Sequence, residues 1–161
     1  MRRSLEAVTA PRFFETERGF QGDFAANLRG LVASSLSLAK DCIIESEYQK
    51  SLKTHRTAIR PDVVVHIPTV LTGNRTADNF LAIELKLRAT AADAQSDFES
   101  LDTLMDALEY ETAAFINISS DRTHADVYRG GYPDRIHCFA IEQTKYGTRV
   151  RCEQPGHAKR R

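Results

Sequence analysis

Cysteine is scarce and unpaired in its spacing. Cys42, Cys138 and Cys152 are odd in number and far apart, which excludes a disulfide framework and a paired zinc-ligand motif. A reducing cytoplasm is the setting this usage implies. Long apolar runs are missing too. VVV at 63–65 and AAFINI at 113–118 are far too short to cross a membrane. The opening MRRSLEAVTAPRFF has basic residues with no apolar stretch behind them, so neither a secretory signal nor a membrane role is expected. No repeat, low-complexity tract or linker interrupts the chain. Net charge is also absent, with 22 basic residues against 22 acidic ones, so there is no whole-chain basic signature for nucleic acid.

The 161 residues, 42% hydrophobic and 27% charged, are enough for a single soluble domain over 1–161 with its own core. The charges are segregated. Lys50, Lys53, His55, Arg56 and Arg60 lie within 49–61 with no acid, whereas 89–121 holds eight acids and no base. One face is expected to be basic and another acidic.

The apolar period predicts the elements. Phe24, Leu28, Leu31, Val32 and Leu36 share a helical stripe over 20–39, with Asp23 as a cap or with an earlier start near Pro11. Strands are expected over 41–49, 61–67 and 79–87. A helix follows over about 92–109, marked by Phe98, Leu101, Leu104, Met105 and Leu108, then a strand over 112–119. RIHCFAIEQT (135–144) and TRVRCE (148–153) read as a closing hairpin around KYG. One strand-helix-strand step implies a parallel crossover in an otherwise largely antiparallel sheet, with a helix on each side.

Within the third strand, NFLAIELKLRAT (79–90) carries Glu84 and Lys86 at the centre of an apolar run. Alternation puts Leu81, Ile83, Leu85 and Leu87 on one face and Glu84 with Lys86 on the other. The plain expectation is a half-buried strand whose wet face holds a small ion pair. Asp62, straight after Arg60 and Pro61, opens the neighbouring strand and can come beside Glu84. Two close carboxylates repel and call for a cation. Oxygen ligands of this kind suit Mg²⁺, and a lysine beside a metal-bound water can stabilise developing charge.

RPDVVVH…FLAIELK resembles the PD-(D/E)xK nuclease superfamily, with its restriction-endonuclease-like fold, on Pro61-Asp62 and Glu84-Leu85-Lys86. The resemblance covers about residues 20–119. It implies an α/β (α+β) core of order αβββαβ, a central mixed sheet of four or more strands flanked by helices. The hairpin then forms a C-terminal β extension over about 134–153, with a basic tail over 154–161. It further implies a metal-dependent nuclease, most simply a DNA endonuclease, with RNA left open. Mg²⁺, for which Mn²⁺ can substitute, would be held by Asp62, Glu84 and the Leu85 carbonyl, and Lys86 would assist the water.

Many members of that superfamily carry a further acid on the first helix. Glu17 fills that role best here, ahead of Glu47; Glu45 is a further candidate. Lys50, Lys53, Arg56 and Arg60 are expected to hold phosphates, a sequence-independent contact. His66 shares a strand face with Asp62 and reads as a core or rim histidine. Gln95 is followed by Glu99, so the Gln-x-x-x-Tyr pattern of the exonuclease-like branch is missing there. The acids of the second helix read as a solvated outer face. No base-reading module is present, so a homodimer or a partner protein supplying specificity both remain open. The rival class is a non-catalytic nucleic-acid-binding or protein-interaction module on the same fold.

Overall fold

β3, Asn79–Leu87, is the strand about which the architecture is arranged, and it has the bounds that its alternation predicts. It belongs to a computed structural model that describes residues 1–34, 41–46, 59–68, 71, 73 and 78–157. The other strands are β1 (Ile43–Ser46), β2 (Val63–His66), β4 (Thr112–Ile118), β5 (Ile136–Thr144) and β6 (Gly147–Glu153). They form one six-stranded mixed sheet in the order β1-β2-β3-β4-β5-β6. The helices are α1 (Arg2–Glu6), α2 (Glu17–Ala33) and α3 (Ala91–Leu108). The fold is α/β, a mixed sheet flanked by helices.

β1, β2 and β3 pair antiparallel in sequence, and β5 and β6 close the other end as an antiparallel hairpin. The expected crossover β3-α3-β4 gives a parallel pair. A second parallel pair, β4 with β5, was not foreseen. Its crossover is the 119–135 connection, which contains only the 3-10 turn Ala125–Val127 and so shows no helical period to read.

Both faces of the sheet are covered. Phe20, Phe24, Ala25 and Leu28 of α2 pack on Val63, Val65, Ile83, Leu85 and Ile116. On the opposite face, Ala94, Phe98, Leu101, Leu104, Met105 and Leu108 of α3 pack on Val64, Ala82, Ala113 and Phe115. The wet face expected for Glu84 and Lys86 is therefore the buried underside of α3. A strand next to a parallel crossover is enclosed by the crossover helix, which period-2 alternation alone cannot reveal.

Helix α2 differs from expectation at its start. Pro11–Phe14 is a separate 3-10 turn, and Thr16 caps the helix, its side chain accepting the Gly19 N–H at 3.0 Å. Glycine is required by closeness, since a Cβ at Gly19 would stand 2.7 Å from Thr16 Oγ1. Asp23 sits inside the helix and accepts from Asn27 rather than capping. Leu36 lies outside the described residues.

Helix α3 begins with a reciprocal Thr90–Asp93 cap and ends at Glu109 in the left-handed region. Its acidic side is not simply a solvated face. The Tyr128 hydroxyl donates to Asp102 at 2.6 Å, and the Tyr132 hydroxyl donates to Asp106. The 119–135 crossover lies against the helix and brings those tyrosines with it; Phe98 and Tyr128 meet edge-on at 5.3 Å. Among the described residues no helix is long and apolar enough to cross a membrane.

Candidate active site

β2 stops four residues short of its neighbour's end. Its last partner pair toward the site is Val63 with Ile83, while β3 runs on to Leu87. Leu85 and Leu87 thus present backbone polar groups beyond the end of β2, where no strand pairs with them among the described residues. Two carboxylates take up these groups. Asp62 Oδ2 accepts the Leu85 N–H at 2.7 Å, and Glu17 Oε1 accepts the Leu87 N–H at 3.1 Å. In a strand, the N–H and C=O of one residue face the same edge, so the Leu85 carbonyl points to the edge that these acids line.

The N-terminal turn of α2 secures this arrangement. Glu17 is its first residue, and Gln21 follows one turn later on the same side. Gln21, only 6% exposed, donates through Nε2 to the Asp62 carbonyl at 2.6 Å. The helix thereby holds the end of β2 with one side chain and the end of β3 with another.

Glu84 lies on the α3 side of the sheet and is 8% exposed. Its carboxyl lies near enough to that of Asp62 for the two charges to repel. Burial, then repulsion from Asp62 and Asp97, holds the Glu84 carboxyl well above the usual glutamate range. Burial also raises Asp62, although the bond from the Leu85 N–H pulls it back. Partial burial works against the Lys86 ammonium, yet Asp97, Glu17, Asp62 and Glu84 together outweigh it and raise its pKa. Burial pushes Asp97 up to about 6 against the pull of Lys86. Lys86 Nζ stands 3.9 Å from Asp97 Oδ2.

The structure thus brings together Asp62, Glu84, Leu85, Lys86 and Glu17. Other expectations fall elsewhere. His66 pairs with Asn79 at the far end of β2, and its Nε2 lies 2.6 Å from Glu45 Oε2. Four residues of strand, roughly 13 Å, separate it from Asp62. His66 and Glu45 are therefore structural partners at the rim. Gln95 donates to Glu99 on the exposed side of α3. Glu47, Lys50, Lys53 and Arg56 lie outside the described residues. Arg60 is exposed, two residues before Asp62.

Asp97 and Gln21 were missed by sequence reasoning. Asp97 falls between Ala94 and Phe98 and Leu101, so its place on the apolar stripe was the available signal. Gln21 adjoins Phe20 and follows Glu17 by four residues, a register that marks it equally.

Among the described residues, no group of three or more His, Cys, Asp or Glu side chains stands converged as a finished metal cage. The donors present nevertheless fit a hard cation that keeps its water. Mg²⁺ commonly takes one or two carboxylates and completes its shell with solvent. Asp62 and Glu84 offer an all-oxygen pair whose mutual repulsion a cation would relieve. Comparison of the chain with protein-family models, with characterised proteins and with solved structures returns no match.

Proposed function

We propose that this chain is a Mg²⁺-dependent nuclease with a restriction-endonuclease-like core that hydrolyses phosphodiester bonds, in DNA first of all. The observation that carries the reading is the Asp62 carboxylate held on the Leu85 N–H between Glu84 and Lys86 of β3, close enough to Glu84 for the two acids to repel. A buried glutamate held beside a second acid is a costly structural device, and perturbed carboxyls of this kind gather at functional sites. The element order α2-β1-β2-β3-α3-β4 accords with the core that Pro61-Asp62 and Glu84-Leu85-Lys86 resemble.

Asp62, Glu84 and the Leu85 carbonyl would hold the ion, with Glu17 at the mouth of the same edge. Bound there, Mg²⁺ supplies charge stabilisation and a water of lowered pKa. Lys86, its side chain 33% exposed, is placed to donate to that water or to a phosphate oxygen as negative charge develops. Arg60, with Lys50, Lys53 and Arg56, would bear on the phosphate backbone without reading sequence. Specificity then comes from a second copy or from a partner protein.

The test is cleavage of supercoiled plasmid, linear duplex, single-stranded DNA and RNA with Mg²⁺, Mn²⁺, Ca²⁺ or EDTA. Cutting in Mg²⁺ and Mn²⁺ that Asp62→Asn abolishes supports the reading. Metal-independent binding without cleavage of any substrate overturns it in favour of the inert binding module.

A further inference from the structure

Asp97 stands apart from the other acids of α3. Asp93 closes the helix cap, and Asp102 and Asp106 accept from tyrosines of the 119–135 crossover. Asp97 instead projects into the space between α3 and the sheet, its side chain 15% exposed. Its Oδ2 atom is buried, accepts no hydrogen bond, and has Lys86 Nζ at 3.9 Å. Among the described residues, this is the ion pair that Lys86 makes.

The alternative available to Lys86 is close by. A lysine ammonium is a compact charge on a flexible stem, and two carboxyls lie on its own strand face or beside it. In a partly buried site, where attraction is less screened than in water, such an ammonium tends to settle on the nearest acids. Settled on Asp62 and Glu84, it would neutralise the pair and compete with a divalent cation for the same oxygens. The ammonium instead makes its ion pair with Asp97, at 3.9 Å.

We propose that Asp97 is the positioning residue for Lys86, holding its ammonium against α3 so that the Asp62 and Glu84 carboxyls stay open to the divalent cation. The inference rests on the nuclease reading and adds a residue to the same site. Asp97 acts through Lys86 and is not itself a ligand. Its removal therefore matters only while Lys86 is present.

The experiment is calorimetric Mn²⁺ titration of the full chain in four forms: wild type, Asp97→Asn, Lys86→Met and the double variant. Replacing a residue that orients a metal site commonly costs about 10- to 100-fold in affinity. Asp97→Asn is expected to weaken Mn²⁺ binding by at least about tenfold. In the Lys86→Met background the same substitution is expected to change nothing. Asp97→Glu, which keeps the charge, is expected to recover most of the affinity. Unfolding curves for each variant identify any form that has lost its fold, and Asp97→Glu then carries the comparison. Equal loss in both backgrounds overturns the proposal, because Asp97 would then act on the metal or the fold directly. Unchanged affinity in Asp97→Asn overturns it as well. Absence of Mn²⁺ binding in the wild type has a different meaning: it removes the metal reading of the site, and the role of Asp97 with it.

Discussion

Asp62 Oδ2 accepts the backbone N–H of Leu85 at 2.7 Å, so the acid of one strand occupies the place of a ladder partner on the next. The same carboxyl lies close enough to Glu84 to repel it. Chemistry and scaffold therefore share one side chain, which governs how the site must be tested.

Asp62→Asn is expected to abolish Mg²⁺-dependent cleavage while the protein remains folded. The amide oxygen still accepts from Leu85, but the charge for the ion is gone. Asp62→Ala leaves the Leu85 N–H without its partner and should cost about 1–3 kcal/mol in addition. Urea unfolding of both variants, set beside plasmid cleavage, checks the pair. Near-normal cleavage by Asp62→Asn would remove Asp62 from the catalytic role, and the same holds for Glu84→Gln and Lys86→Met.

Glu84 makes stability fall as pH rises, measured in EDTA. Its folded pKa is well above the ordinary 4.5, so below that value both states are protonated and there is no penalty. As pH climbs from 4.5 toward the folded value, the unfolded chain loses a proton that the folded chain keeps, and stability declines by at most about 1.4 kcal/mol per pH unit. Glu84→Gln should flatten this slope and be the more stable protein at pH 8. Parallel slopes for the two proteins would show that burial does not raise Glu84.

Glu17→Ala is expected to weaken Mn²⁺ affinity and to free the Leu87 N–H that Glu17 now satisfies at 3.1 Å. Glu17→Gln retains the hydrogen bond without the charge. If Glu17→Gln binds Mn²⁺ as wild type does, its contribution is structural alone.

Replacing Lys50, Lys53, Arg56 and Arg60 with alanine should weaken DNA binding and reduce the slope of log affinity against log salt, because fewer counterions are released. Binding measured in Ca²⁺ between 50 and 200 mM salt, as general conditions, reads this directly. An unchanged slope would move the phosphate-binding face elsewhere.

Gly130→Ala should lower stability. A Cβ there would stand 1.6 Å from Asp102 Oδ2 and 2.5 Å from the Tyr128 hydroxyl, so the bond between them has to give way. About 1–3 kcal/mol is the expected loss in thermal or urea unfolding. A variant as stable as wild type would show that the crossover yields at no cost.

Much of the molecule is legible in its residues. The alternation of 79–87 and the stripe of Phe98, Leu101, Met105 and Leu108 each carry a strong period, and both elements form where expected. The ends of α2 were less legible, because a cap is a single hydrogen bond: Thr16 decides it, and Asp23 looked equally able. The burial of Glu84 could not be read, since the alternating pattern is the same whether a polar face meets water or another acid. Asp97 was hidden among other acids; the inward turn of one of them depends on how α3 sits on the sheet, a tertiary property. The 119–135 crossover gave no signal, because its order comes from Tyr128 and Tyr132 anchoring to α3 and not from a repeating pattern.

The early end of β2 has a consequence beyond the site. An uncovered strand edge is a template on which a second chain can add itself, the first step toward aggregation. Along β3 that edge is closed by the carboxylates of Asp62 and Glu17, which occupy the N–H groups of Leu85 and Leu87 and bring negative charge to the place where a foreign strand would dock. The two acids thus occupy donors that a foreign strand would need, and apolar residues in their places would leave those N–H groups without these partners.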